Sequence, residues 1–190
     1  MGEGRTLLLG LGNDLLTDDA AGLLAVRLAG RLADETVDVV ETSACGIALL
    51  EHFLGYDRAV VVDTIRTGRR APGTVVEVGV QELGTVLAPS PHYAGLPEML
   101  AVARALRLPF PQEVRILALE ALDPFTVGTR LTEPVRRAIP HLAARILTLL
   151  ESPEARGRRP APRQSTRMRA RVRTPQQATP LPHGGKPCRH

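Results

Sequence analysis

TLLLGLGNDLLTDDAAG, residues 6–22, decides how this chain folds. Its apolar opening breaks at Gly10 and Gly12, passes through Asn13 and Asp14, and resumes at Thr17-Asp18-Asp19 with helical spacing. That pattern reads as strand, turn and helix start. The glycines let the backbone turn sharply or approach another group closely, and the acidic pair falls where a new helix presents unpaired N–H groups and the positive end of its dipole. Asp18 reads as the helix cap, which leaves Asp19 one residue into the helix with its carboxylate available. Carboxylates so placed stand at the carboxyl ends of the strands, where open α/β sheets hold their chemistry.

Downstream the chain continues as β-α-β-α-β. Residues 20–32 carry Leu23, Leu24, Val26, Leu28 and Leu32, a helix with one core face. Val37, Val39 and Val40 make a second strand, residues 42–46 a turn, and residues 47–54 a short helix ended by Gly55. The run AVVV at 59–62 has the unbroken apolar character of a central parallel strand and ends on Asp63. Right-handed crossovers between these strands give a doubly wound sheet. A strand order of 2-1-3 makes strands one and three neighbours at the switch point, so that Asp19 and Asp63 face one crevice.

Residues 64–72 form a basic loop, and TVVEVGV at 74–80 alternates as a strand with one wetter face. No helix separates it from the strand before, so it is expected to pair antiparallel near an edge. Residues 84–95 form a loop rich in Pro, Ser and Gly that holds His92. A helix over 96–106, a strand over 114–119 and a last helix to Leu150 follow, the last capped by Thr132 with Pro134 harmless in its first turn.

Composition narrows the partners. There is no Trp and only 3% aromatic residues, so the core is aliphatic and a base-stacking nucleic-acid surface has little to work with. Residues 152–190 hold ten of the 24 Lys and Arg but one of the 20 acids, which leaves 14 basic against 19 acidic residues in 1–151. The folded part is therefore mildly acidic, and the Arg/Pro-rich segment 152–190 is expected to be a disordered tail. Cys45 and Cys188 are far apart with no CxxC, which argues against a disulfide framework or a thiolate zinc site and suits a reducing cytoplasm. No apolar run approaches the roughly 18 residues of a membrane helix, and the N-terminus lacks the features of a signal peptide.

Several chemistries can be weighed on single residues. The dinucleotide fingerprint G-x-G-x-x-G fails because Leu15 takes the third glycine's place and acids follow where a pyrophosphate would approach. A Walker loop and a G-x-S-x-G nucleophile turn are both missing, although Ser43 and Ser90 are available. Asp63 closes a buried strand, where a charge needs a reason, with an Asx turn as the plain alternative. His92 lies in a long loop, whereas His52 and His141 lie on helices where packing or solvent accounts for them. Asp19, Asp63 and His92 converging would make either an open site for a divalent transition metal or a general acid and base acting on water.

GLGNDLLTDDAAG at 10–22, VVVDT at 60–64, SPHYAGL at 90–96 and LEALDPFTVGTRLTEPV at 119–135, in this order, resemble the hydrogenase maturation proteases over roughly residues 5–150. The resemblance implies a single three-layer α/β/α domain over residues 1–151, with a twisted, mostly parallel sheet of about five strands. It also implies an endopeptidase that trims the C-terminal extension of a [NiFe]-hydrogenase large-subunit precursor after nickel insertion. Asp19, Asp63 and His92 match the family's nickel-contacting and catalytic positions, and nickel belongs to the substrate precursor rather than to a resident cofactor. Two departures stand out: Ala20-Ala21 follows the acidic pair where relatives often have an acid and glycine, and Ser43-Ala44-Cys45-Gly46 replaces a common Gly-Thr-x-Gly.

The opening GLGN also resembles peptidyl-tRNA hydrolase, and the arginine-rich tail would suit RNA. Asp14 stands where that family has proline, and the acidic mouth disfavours a phosphate-bearing substrate. A maturation chaperone that docks on the nickel-loaded precursor without cutting it is the non-enzymatic alternative. Truncation after Glu151 is expected to leave the thermal unfolding midpoint unchanged, because a tail poor in apolar residues contributes no core. A large drop in that midpoint, measured by circular dichroism, would place part of the tail in the fold.

Overall fold

The computed structural model of the chain describes residues 4–79 and 96–152. Strands β1 (Thr6–Leu11), β2 (Val37–Thr42), β3 (Arg58–Ile65), β4 (Val75–Gly79) and β5 (Glu113–Glu120) form one sheet in the order β2-β1-β3-β5-β4. The first four positions in that order pair in parallel, and β4 runs antiparallel to β5 at the edge. The expected 2-1-3 arrangement and antiparallel edge strand are both present. Among the described residues four α-helices cover the sheet: α1 (Ala21–Gly30), α2 (Leu50–Phe53, entered through the 3₁₀ turn Gly46–Leu49), α3 (Leu96–Ala105) and α4 (Glu133–Glu151). Residue 80 of the expected strand, the loop expected over 84–95 and the tail beyond 152 lie outside the described residues.

Two cores follow from the period-2 alternation of the strands. Leu7, Leu9, Val61 and Ile116 join Phe53 of α2 and Met99 of α3 on one face. Leu8, Val60, Val62 and Leu117 join α1 and α4, through Val26, Leu142 and Ile146, on the other. The result is three layers with both sheet faces covered, which is why all eight residues of β3 are buried. Arg58, at the start of β3, donates through its guanidinium to the carbonyls of Leu149 and Leu150, closing the last turn of α4 at the end of the sheet remote from the acidic residues. Burial holds the Arg58 guanidinium below its ordinary pKa, and Glu113 at 3.5 Å partly offsets this.

Two glycines allow α1 to lie close against the strand ends. Gly12 has φ +150°, and a Cβ there would sit 2.1 Å from the Asp19 carbonyl oxygen. At Gly22, a Cβ would come within 2.5 Å of the Leu11 carbonyl oxygen and 2.9 Å of that of Val62. Both obstacles are backbone, so neither can rotate away. Gly22→Ala is expected to lower stability by about 3 kcal/mol through overpacking, read from the urea midpoint, and an unchanged midpoint would show that α1 can shift outward freely.

Candidate active site at the strand ends

Asp18, Asp19, Asp63 and Glu120 are all buried at the carboxyl ends of β1, β3 and β5, with exposures of 0%, 7%, 0% and 1%. Burying carboxylates is costly unless hydrogen bonds replace water, so the donors around each one report what it does.

Asp18 is not a helix cap. It begins a 3₁₀ turn, Asp18–Ala20, that precedes α1, and no side chain caps that turn. Its carboxylate instead accepts from the amides of Leu122 (3.0 Å), Asp123 (2.8 Å) and Thr132 (2.7 Å) and from the Thr132 hydroxyl (2.9 Å). Thr132 does stand at the N-cap position of α4, as expected, but its hydroxyl makes no cap bond there. The two residues whose sequence context marks them as caps of separate helices bond to each other. The Asp18 amide donates to the Asp123 carbonyl and the Thr17 amide to that of Thr126, so the turn after β1 and the loop after β5 form one unit.

Asp19, freed from capping, accepts from the Thr64 hydroxyl at 3.1 Å. Asp63 accepts from the Thr64 amide at 2.7 Å. Thr64 thus joins the two carboxylates through two different groups, at the crevice where β1 and β3 part to opposite neighbours. Asp63 shares the alternation of Val61 and Ile65 toward the α2–α3 face, while Thr64 follows Val60 and Val62 toward α1. Sequence reasoning quoted VVVDT but gave Thr64 no role, since a threonine ending a strand carries no signal of its own. His92 lies outside the described residues. Among the described residues no group of three His, Cys, Asp or Glu could hold a metal ion.

The rim is fixed by further polar contacts. Asp14 and Glu41 both bind Arg27 of α1, at 2.8 and 2.6 Å, which fastens the glycine turn to the end of β2 and raises the Arg27 pKa. Asp123 is held below the ordinary carboxyl range by the Thr126 hydroxyl and by the amides of Thr126 and Phe125, with Arg66 nearby. Cys45 is exposed and its side chain caps nothing. His52 on α2 is half-buried and His141 on α4 exposed, consistent with the plain roles expected of them.

A doubly wound sheet with buried acids at its switch point defines an α/β protein built to do chemistry at its strand ends. A family model described as hydrogenase maturation protease matches residues 23–149. The chain is 29% identical over 126 residues to the hydrogenase 2 maturation protease of Escherichia coli, covering 63% of this chain and 76% of that protein. It is 30% identical over 154 residues to the hydrogenase expression/formation protein HupD of Rhizobium leguminosarum bv. viciae, covering 78% and 75%. Among solved structures, the hydrogenase maturating endopeptidase HybD from E. coli superposes with a TM-score of 0.67 at 26% identity, over 77% of this chain and 91% of that one. HybD from Thermococcus kodakarensis superposes with a TM-score of 0.63, also at 26% identity, over 77% and 99%. The chain belongs to the hydrogenase maturation protease family, a family of peptidases.

Asp18→Ala would strip four donors of their acceptor inside the protein. It is expected to cost about 2–4 kcal/mol, measured by urea unfolding, with loop 122–132 losing amide protection first in hydrogen exchange. Protection of that loop unchanged from wild type would contradict the staple.

Proposed function

We propose that this protein is the endopeptidase that removes the C-terminal extension of a [NiFe]-hydrogenase large-subunit precursor once nickel has been inserted. In this reading Asp19, Asp63 and His92 contact the nickel carried by the precursor and serve the cleavage. The observation that carries it is the Thr64 bridge: two buried carboxylates, 44 residues apart in sequence, both accept from Thr64 at the crevice of a fold shared with named hydrogenase maturation endopeptidases.

The chemistry follows from the donor set. Carboxylate and imidazole oxygens and nitrogens suit a divalent transition metal, and a metal already held by the precursor's own ligands brings its positions into the crevice only when it is present. An empty precursor offers no such anchor, so cutting waits for metallation. Asp19 or Asp63 then stands as the base that takes a proton from the water attacking the scissile carbonyl. The Thr64 hydroxyl orients Asp19, and the Thr64 amide orients Asp63. No described helix is long and apolar enough to cross a membrane, in keeping with a cytoplasmic site of action.

The test is the intact mass of a co-expressed large-subunit precursor, with nickel supplied or withheld. Loss of the C-terminal extension is expected only with nickel and the wild-type protein, and Asp63→Ala is expected to slow it by about a hundredfold or more, within the range of general-base catalysis. Asp19→Asn that cuts at the wild-type rate would remove Asp19 from the chemistry. Binding of the nickel-loaded precursor without any mass loss would make the protein a docking chaperone.

A further inference from the structure

The turn that follows β3 carries Arg66, Arg69 and Arg70, all exposed; Arg66 has Asp123 nearby, and none of the three makes a direct ion pair among the described residues. They are three cations within five positions of a segment, 1–151, in which acids outnumber bases by 19 to 14. The turn starts three residues beyond Asp63, on the same end of the sheet. It is not a loose loop. Buried Glu120 accepts from the Thr67 amide (2.8 Å), the Thr67 hydroxyl (2.7 Å) and the Gly68 amide (2.8 Å). The Arg69 amide closes the turn on the Thr67 hydroxyl at 3.1 Å, and Gly68 takes a positive φ of 67°. Beyond it, the Arg66 guanidinium lies over the Phe125 ring, 5.6 Å from its centroid. Phe125 is itself 61% exposed, with Leu122 at 47% beside it in the same loop.

A buried carboxylate spent on fixing a surface turn holds the backbone of these cations in place, and clustered like charges lower their free energy when an anion arrives. The apolar neighbours narrow the anion. An isolated phosphate has no use for an exposed Phe and Leu, and one exposed ring already covered by Arg66 offers little to a run of bases, whereas a polypeptide supplies carboxylates and apolar side chains on one strand.

We infer that the Glu120-held turn at Arg66, Arg69 and Arg70, with Phe125 and Leu122, is the seat for the C-terminal extension of the substrate, gripping its carboxylate groups and packing its apolar side chains. This rests on the protease reading above and assigns the surface that captures the segment to be released. Arg66, Arg69 and Arg70 act in binding, and Glu120 is a positioning residue for them.

The experiment compares wild type with the triple variant Arg66→Gln, Arg69→Gln, Arg70→Gln on the nickel-loaded precursor, recording KM and kcat at low and high salt. Because all three side chains are exposed, the variant keeps its core. The expected result is a rise in KM of about tenfold with kcat within about twofold, and a wild-type KM that climbs with salt while the variant's stays flat. Glu120→Ala should shift KM in the same direction, and Glu120→Gln, which keeps an acceptor, should recover part of the loss. Precursors with the extension's Asp and Glu changed to Asn and Gln, or with one residue added after its terminus, separate side-chain carboxylates from the terminal one. A triple variant with wild-type KM and wild-type salt dependence overturns the inference and leaves the protease reading standing. If the wild type does not cut at all, the protease reading falls. Fluorescence anisotropy on the labelled precursor then decides the surface alone: equal affinity for wild type and triple variant overturns it, and about tenfold weaker binding by the variant upholds it.

Discussion

The carboxylate of Asp18 is the contact on which the working end of this molecule depends. It sits at the first turn after β1 and accepts four hydrogen bonds from a segment more than a hundred residues later. Without it, the 3₁₀ turn before α1 and the loop from β5 to α4 would be separate surface features. With it, the start of α1, the end of β5 and the start of α4 share one buried charge, and the loop bearing Leu122 and Phe125 is fixed beside the crevice. Charge-assisted hydrogen bonds to backbone amides are among the stronger a protein makes, and their geometry is set by backbone that cannot rotate away. Asp19, the next residue, inherits that rigidity, since its position is set by a neighbour that cannot move independently.

Close packing supplies the other half. The crevice exists because β1 and β3 are adjacent while the chain after β1 leads through α1 to β2 on one side and the chain after β3 leads to β4, beyond β5, on the other. Asp19 can meet Thr64 only if α1 begins almost in contact with the strand ends, and the backbone approach at Gly12 and Gly22 permits this. A side chain at either position would push the helix start outward by the ångström or so that separates a hydrogen bond from a gap. The fold thus converts two missing methyl groups into the placement of a carboxylate.

What sequence could reveal follows from how far each signal reaches. The strand order and the antiparallel edge were legible because crossover handedness and the absence of a connecting helix are local facts with topological consequences. Asp63 was legible because a charge at the end of the unbroken run AVVV contradicts its surroundings. Asp18 was misread because Asp before a helix is an ordinary cap signal, and its true donors at Leu122, Asp123 and Thr132 are invisible to any window along the chain. Thr132 does stand at the N-cap of α4 as expected, but its hydroxyl is spent on Asp18, at the other end of the same bond. Thr64 and Glu120 were passed over because their roles depend on partners brought together by the sheet: Thr64 on Asp19, 45 residues back, and Glu120 on Thr67, 53 residues back.

The four buried acids divide into two kinds by what faces them. Asp18 and Glu120 each meet donors that belong to loops: four from residues 122–132 in the first case, three from residues 67–68 in the second. Such carboxylates are spent on shape, since any proton or metal they took would cost those contacts. Asp19 and Asp63 both meet Thr64 of the central strand. That residue is buried within a strand that neighbours hold on both sides. A partner so fixed sets the direction of the carboxylates that it meets. Asp18 and Glu120 build the walls and the turns around the crevice, and Thr64 sets the direction of Asp19 and Asp63 within it.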